Sequence, residues 1–409
     1  MKVRFALLAL VACHHPEAAP TVATSATTPT TCEAKTTRAK PSAEGEAKVV
    51  GADGTAHTLH WIKLDAKTQP ARGTLFYLAG GPLSHMPYTD LAAAFQRVAF
   101  PDLDVVLYDY FGFNCSSAIQ DTAALRARWA SLTMPAMAHD FIQLKRTFVT
   151  GKAFVMGGSH GAMLGAEIVR DYPTEIEKAV LFSGDTESGW LDDGWFRFDR
   201  LMTKLDAAHP GFAARLGKLL DSVDDRATFE VGMWMAFSLD SAAQAALPAL
   251  VLAAEKGERK WIANVNRVAL ELLEPPSAAA PPTETSLVTT FHRCNVWFPK
   301  SRRAASNAET RFFRHDSFVQ YWNKLCSSYD PLGEHPFSAK VATPTSVPVL
   351  AWVGDQDTFD PNATRAHWSA LTTNLSFEVM EGWSHDLGPT PSTGFVRAAA
   401  LVKDFLASP

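Results

Sequence analysis

The sequence predicts an α/β protein with a mostly parallel central sheet flanked by helices and a mainly helical cap inserted between sheet strands. Three observations predict it. Short apolar runs alternate with helically spaced segments through the first part of the chain. After Ser183-Gly184-Asp185 that rhythm gives way to a long stretch, from Glu187 to near Ala342, rich in helical spacing and aromatics. It resumes with the apolar run Val347 to Val353. The expected organisation is a first core part over 46–185, a cap over 186–342 and a second core part over 343–409.

The chain has 409 residues, enough for two domains or for one with a large insertion. A hydrophobic content of 47% with 20% charged residues is that of a globular protein. A net charge of −5 gives no reason to expect nucleic acid or an anionic membrane surface as partner.

The N-terminus reads as an export signal. Met1-Lys2-Val3-Arg4 is basic, and Phe5 to Ala12 is apolar but too short to span a bilayer alone. Leu10-Val11-Ala12-Cys13 resembles the lipobox of bacterial lipoproteins, which implies cleavage before Cys13, its acylation and membrane association through a lipid anchor. His14 follows, not the aspartate associated with inner-membrane retention, so the resemblance implies the outer membrane or cell surface. A plain secretory signal, giving a secreted or periplasmic protein, is the alternative. Residues 14–45 carry few large apolar side chains and are expected to form a disordered tether.

Five cysteines are present: Cys13, Cys32, Cys115, Cys294 and Cys326. Exclusion of Cys13 leaves four, which allow three pairings in an oxidising compartment. Cys294 and Cys326 share the insertion and are the first choice for a bridge, with free buried thiols as the rival reading. No CxxC motif or histidine cluster suggests a metal, and no cofactor is called for.

In chain order, Lys48 to Val50 and His57 to Leu64 flank a Gly-Ala-Asp-Gly turn and read as a hairpin. Thr74 to Ala79 is a strand ending at Gly80-Gly81-Pro82. Leu91 to Val98 is helical, and the strand Asp104 to Tyr108 follows. A helix over Ala136 to Phe148 leads into the run Ala153 to Met156, and Ala179 to Phe182 is a further buried strand. Beyond the cap, the order is the Val347 to Val353 strand, the Ala363 to Leu371 helix, the Phe377 to Met380 strand and a terminal helix over Thr393 to Leu406. Within the insertion, tryptophans such as Trp190, Trp195, Trp234, Trp261, Trp297 and Trp322 read first as helix packing and second as walls of an apolar substrate pocket. Pro275 to Pro282 reads as a loop.

The run Ala153 to Met156 ends in Gly157-Gly158-Ser159-His160-Gly161, and helical spacing follows as far as Tyr172-Pro173. Strand, sharp turn and helix with a serine at the apex form the G-x-S-x-G arrangement that exposes a nucleophilic hydroxyl. A serine hydroxyl needs a histidine to take its proton and an acid to orient that ring. Asp357 and His385 follow later strands, as Ser159 does, and active groups collect at the carboxyl ends of parallel strands. Asp357 competes with Asp355 and with Asp360, which precedes Pro361 as a natural helix N-cap. Donors for a developing oxyanion are expected from the backbone N–H of His160 and of Gly81.

The order Ser159, Asp357, His385 matches the α/β-hydrolases, and the chain resembles their prolyl aminopeptidase branch, including tripeptidyl-aminopeptidase-like serine peptidases. The family's HGGPG motif falls on Ala79-Gly80-Gly81-Pro82-Leu83, and its Asp-Gln-Arg-Gly-x-Gly-x-Ser stretch on Asp109 to Ser116. Its acid motif falls on Asp357 with Pro361, and its histidine motif on Gly382 to His385. Ala79, Leu83, Tyr110-Phe111 and Asn114 depart from the pattern but leave the three reacting residues in place. The resemblance implies a serine aminopeptidase or tripeptidyl-peptidase acting on short peptides. A carboxylesterase using the same residues, and an inactive hydrolase fold that only binds, are the alternatives. The acidic residues that receive a substrate amine in true proline iminopeptidases are not carried over. Glu187, Glu230 and Glu255 match only by location, where a solvated surface glutamate is the plain reading.

Overall fold

In the computed structural model the described residues are 39–81, 88–113, 116, 119, 122–186, 190–238, 240–273, 291–292, 294–295, 312–313, 319, 322–323, 326, 339, 341–385 and 391–408. Residues 1–38, including the expected export signal, Cys13 and Cys32, together with Pro82, Cys115 and Pro275–Pro282, lie outside them.

The scaffold is one eight-stranded sheet with the order β1-β2-β4-β3-β5-β6-β7-β8. β1 (Ala43–Val50) and β2 (Ala56–Leu64) form the expected antiparallel hairpin. β1 begins at Ala43 rather than Lys48, so the last residues assigned to the tether are already paired with β2. β3 (Gly73–Leu78) and β4 (Leu103–Tyr108) are parallel to each other, while β2 joins β4 antiparallel. β5 (Ala153–Gly158), β6 (Ile176–Phe182), β7 (Val349–Gly354) and β8 (Leu375–Met380) continue the sheet in parallel. β5 and β7 are buried at every residue, which is why they read as unbroken apolar runs; strands covered on both faces need no polar side.

Alternate residues along the strands belong to opposite faces. Leu75, Tyr77, Val105, Leu107, Met156 and Val180 share one core with α1 (Thr89–Val98) and the C-terminal helix. Phe76, Leu78, Val106, Tyr108, Val155 and Leu181 face the other. On that side lie α2 (Thr122–Arg128), a short 3₁₀ turn over Trp129–Leu132, α3 (Met134–Phe148) and α4 (His160–Asp171). α3 starts on Thr133, whose hydroxyl accepts the Ala136 N–H, with Pro135 in the first turn.

Between β6 and β7 the cap contributes α5 (Trp190–Ala208), α6 (Phe212–Asp221), α7 (Arg226–Ser238), α8 (Ser241–Glu255) and α9 (Lys260–Leu273). Phe198, Trp234, Phe237, Trp261 and Trp322 are buried in a core continuous with the second sheet face, and Phe237 and Trp261 also line a cavity in the cap. Cys294 and Cys326 are bonded to each other, S–S 2.02 Å, and both are buried. After β7, α10 (Pro361–Leu371) starts on Asp360, whose carboxylate accepts the Asn362 and Ala363 N–H groups, and α11 (Pro391–Ala407) closes the chain. No helix among the described residues is long and apolar enough to cross a membrane.

Candidate active site

Ser159 stands between β5 and α4 with φ 55° and ψ −123°, a conformation that a non-glycine residue adopts only when its surroundings enforce it. Three features enforce it. The Ser159 N–H donates to the Phe182 carbonyl at the end of β6 (2.9 Å), and its own carbonyl accepts from Ala162 and Met163 as α4 begins. Gly161 lies so close to the end of β3 that a Cβ there would run into the Leu78 carbonyl. The strand end, the helix start and β3 are thus pressed into one tight turn, with the serine at its apex.

β3 pairs with β5, Leu78 opposite Gly157, which sets the Gly80-Gly81 turn beside the serine turn. Gly81 takes φ 114°, where a side chain would be strained. The buried Tyr110 hydroxyl donates to the Ala79 carbonyl (2.6 Å) and pins this end of β3. Tyr110 is one of the residues that departs from the family motif, and this bond is what it does instead.

Asp357 lies in the turn after β7 and is 1% exposed. Its Oδ1 accepts from the Thr358 N–H (2.6 Å), the Thr358 hydroxyl (3.0 Å) and His385 Nδ1 (3.0 Å). A carboxylate only accepts, so Nδ1 carries the hydrogen and Nε2 of the neutral ring holds the lone pair. His385 follows β8 and stacks on Phe359, ring centroids 5.9 Å apart. The two rival acids are committed elsewhere: Asp355 accepts the Gly382 N–H (2.7 Å) and braces the two turns, and Asp360 caps α10. Gly354, at the end of β7, packs directly on the Trp383 and Ser384 carbonyls, leaving no room for a Cβ.

The cap grips both turns through residues that sequence reading did not single out. Arg197 of α5 donates from Nε to the Asp357 carbonyl (2.6 Å) and from Nη2 to the Asp355 carbonyl (2.5 Å), and meets the Asp360 carboxylate at 3.2 Å. Burial pushes its guanidinium pKa down against the opposing pull of Asp357 and Asp360. At the start of α8, the Ser241 hydroxyl accepts the Ser384 N–H (2.8 Å), and the Gln244 amide donates to the Ser384 hydroxyl (3.2 Å). These contacts join positions far apart in the chain, and no local motif marks them.

The His160 ring is buried, meeting Tyr110 with centroids 5.6 Å apart and His292 edge-on with centroids 5.4 Å apart. Burial holds the pKa of both imidazoles down, His292 to about 3 and His160 well below the ordinary range. Of the glutamates matched by location, Glu230 is not a solvated surface residue: it is buried and bonds the Arg226 guanidinium at 2.6 Å. Glu255 is exposed, and Glu187 lies outside the described residues. An apolar cavity of about 550 Å³ in the cap is lined by Phe237, Leu250, Trp261 and Val265. Among the described residues no group of three or more histidine, cysteine or acidic side chains could hold a metal.

Residues 73–389 match the model of the alpha/beta hydrolase fold family, and the chain belongs to that family. No curated protein matches the sequence. Among solved structures it is similar to VinJ, at 16% identity and a TM-score of 0.48 over 90% of this chain and 99% of that one. A proline iminopeptidase from Mycobacterium smegmatis is similar at 18% identity and a TM-score of 0.44, over 88% and 98% of the two chains. A thermophilic esterase from Thermogutta terrifontis gives 16% and 0.44, over 88% and 98%.

Proposed function

We propose that the protein is a serine hydrolase working through an acyl-enzyme, with Ser159 as nucleophile, His385 as base and Asp357 as the acid that orients it. The observation that carries the reading is the His385 Nδ1–Asp357 bond, formed at the ends of two strands in the same sheet whose β5 ends in the strained Ser159 turn. Ser159 Oγ attacks an acyl carbonyl while its proton passes to His385 Nε2. The N–H groups of His160 and Gly81 hold the oxyanion. As the carbonyl re-forms, the C–N or C–O bond breaks and Nε2 returns the proton to the leaving amine or alcohol. Water then repeats the sequence and frees the acid and Ser159.

The first substrate reading is a short peptide cleaved from its amino end. The motif placements from Gly80 to His385 support it. A small ester is the second, favoured by Glu230, whose carboxylate is taken by Arg226 rather than left for a substrate amine. A panel of aminoacyl- and tripeptidyl-arylamides set against short-chain p-nitrophenyl esters separates them; ester turnover without amide cleavage removes the peptidase reading. Ser159→Ala is expected to lower kcat by at least about 10⁴-fold, and unchanged turnover removes the site assignment. The export reading is likewise ours: acyl labelling of wild type, lost in Cys13→Ala, is expected, and an unlabelled wild type overturns it.

A further inference from the structure

A second cavity, about 220 Å³, lies between α5 and the turn that carries Asp357. Arg197, Phe198, Arg200, Leu201 and Lys204 form one wall, and Asp355 to Thr358 form the other. Arg197, Arg200 and Lys204 recur at helical spacing, so three cationic side chains line one stripe of a single helix.

The lining carries three cations, Arg197, Arg200 and Lys204, and two carboxylates, Asp355 and Asp357, whose oxygens are turned onto other partners. Asp355 directs its carboxylate to the Gly382 N–H, and Asp357 directs its own to Thr358 and His385. Arg197 is spent on the turn carbonyls and Asp360. Arg200 and Lys204 are exposed, and among the described residues neither stands within ion-pair distance of a carboxylate; Arg200 feels Asp360 only across a longer gap. A pocket of this size with a guanidinium fork and an ammonium group suits a tetrahedral or planar oxyanion.

We propose that this cavity binds a small anionic group, a phosphate or a carboxylate, and that its occupancy is felt by the acid of the reaction centre. Arg197 is the link. It lines the cavity and, through the Asp357 and Asp355 carbonyls, holds the turn from which the Asp357 side chain reaches His385. An anion held by Arg200 and Lys204 draws on the same face of α5 and steadies that turn. The group could be a free ion or the acidic end of a substrate; the chemistry recognised is the same.

The test uses inorganic phosphate with the full chain and with its Arg200→Gln/Lys204→Gln variant, two exposed positions. Phosphate at 20 mM, approximated as ~20-fold over a millimolar Kd, should raise Tm by about 2 °C or more in wild type over sodium chloride of equal ionic strength. The double variant should lose most of that shift. A shift of equal size in both proteins, or none beyond chloride, overturns the proposal. This arm does not depend on turnover, so it stands apart from the serine-hydrolase reading, on which the next arm rests. There, a neutral p-nitrophenyl ester is compared with its succinate-tailed counterpart. A fall of about tenfold in relative kcat/KM for the acidic ester in the double variant assigns the cavity to the substrate's own carboxylate. A phosphate-dependent Tm with no change in that ratio assigns it to a free anion.

Discussion

The strands β5 and β7 are buried along their whole length, whereas a cap helix such as α6 buries Phe212, Leu216, Leu219 and Leu220 and leaves its other side to solvent. The same contrast runs through the site. Ser159, Asp357 and His385 sit on turns whose backbones are stitched to neighbouring strands, with glycines where even a methyl group would collide. The cap reaches those turns through the long side chains of Arg197 and Gln244 and through the Ser241 hydroxyl. A backbone frame holds all three residues at the ends of neighbouring strands. Side-chain contacts hold the frame from outside and can be exchanged one at a time. On the proposed reading, the chemistry rests on the sheet turns, and the cap contacts brace those turns from outside.

The sharpest test of that division is Gly354→Ala. A Cβ there would strike the Trp383 and Ser384 carbonyls and shift the turn that carries His385. A displacement near 1 Å should cost about 10²- to 10³-fold in kcat, measured by steady-state turnover, with the fold retained by circular dichroism. Next comes Arg197→Ala, expected to lower kcat by about tenfold to a hundredfold while Arg197→Lys recovers only part, since an ammonium group cannot span three acceptors as a fork does. A loss in Arg197→Ala as large as in Gly354→Ala would break the comparison, because the cap would then belong to the reacting frame.

The pair Cys294→Ser/Cys326→Ser should act on stability alone. The bridge closes a loop with a sequence separation of 32, worth about 3.7 kcal/mol in chain entropy, read from urea denaturation with and without reductant. The smallest effect lies at His292. Among the described residues neither ring nitrogen of His292 has a hydrogen-bond partner, and burial lowers its pKa from 6.5 to about 3. Between those values the unfolded chain takes up a proton that the folded one refuses. Its contribution is therefore fully present above about pH 6.5 and is lost as pH falls towards 3. His160 titrates in the same direction. His292→Phe should flatten the loss of stability between about pH 6 and pH 4, followed by thermal melts across that range.

The sheet was legible for the reason it is rigid. Buried parallel strands must be apolar runs, and the turns at their ends need particular residues, so β3, β5, β7 and the Ser159 turn announce themselves locally. Asp357 could be preferred to Asp360 because an aspartate before proline reads as a cap, and it is one. Other features were not local. β1 begins earlier than expected, because its first residues, Ala43 to Gly45, are ordered by pairing with β2 rather than by their own side chains. α2 is a single short helix with little apolar period. Arg197, Ser241 and Gln244 act across the fold, and Glu230 is buried by helix packing that no spacing in α7 reveals.

The insertion between β6 and β7 also sets the order in which the site comes into being. During synthesis the chain emerges N-terminus first, and domains assemble as their parts become available. Ser159 and its strained turn can form with β3, β5 and β6, long before β7 and β8 exist to bring Asp357 and His385 alongside. Until the last strands dock, the serine is an ordinary alcohol. On the proposed reading, a growing chain therefore carries a serine that cannot yet be activated for acyl transfer, and reactivity appears only once β7 and β8 have docked.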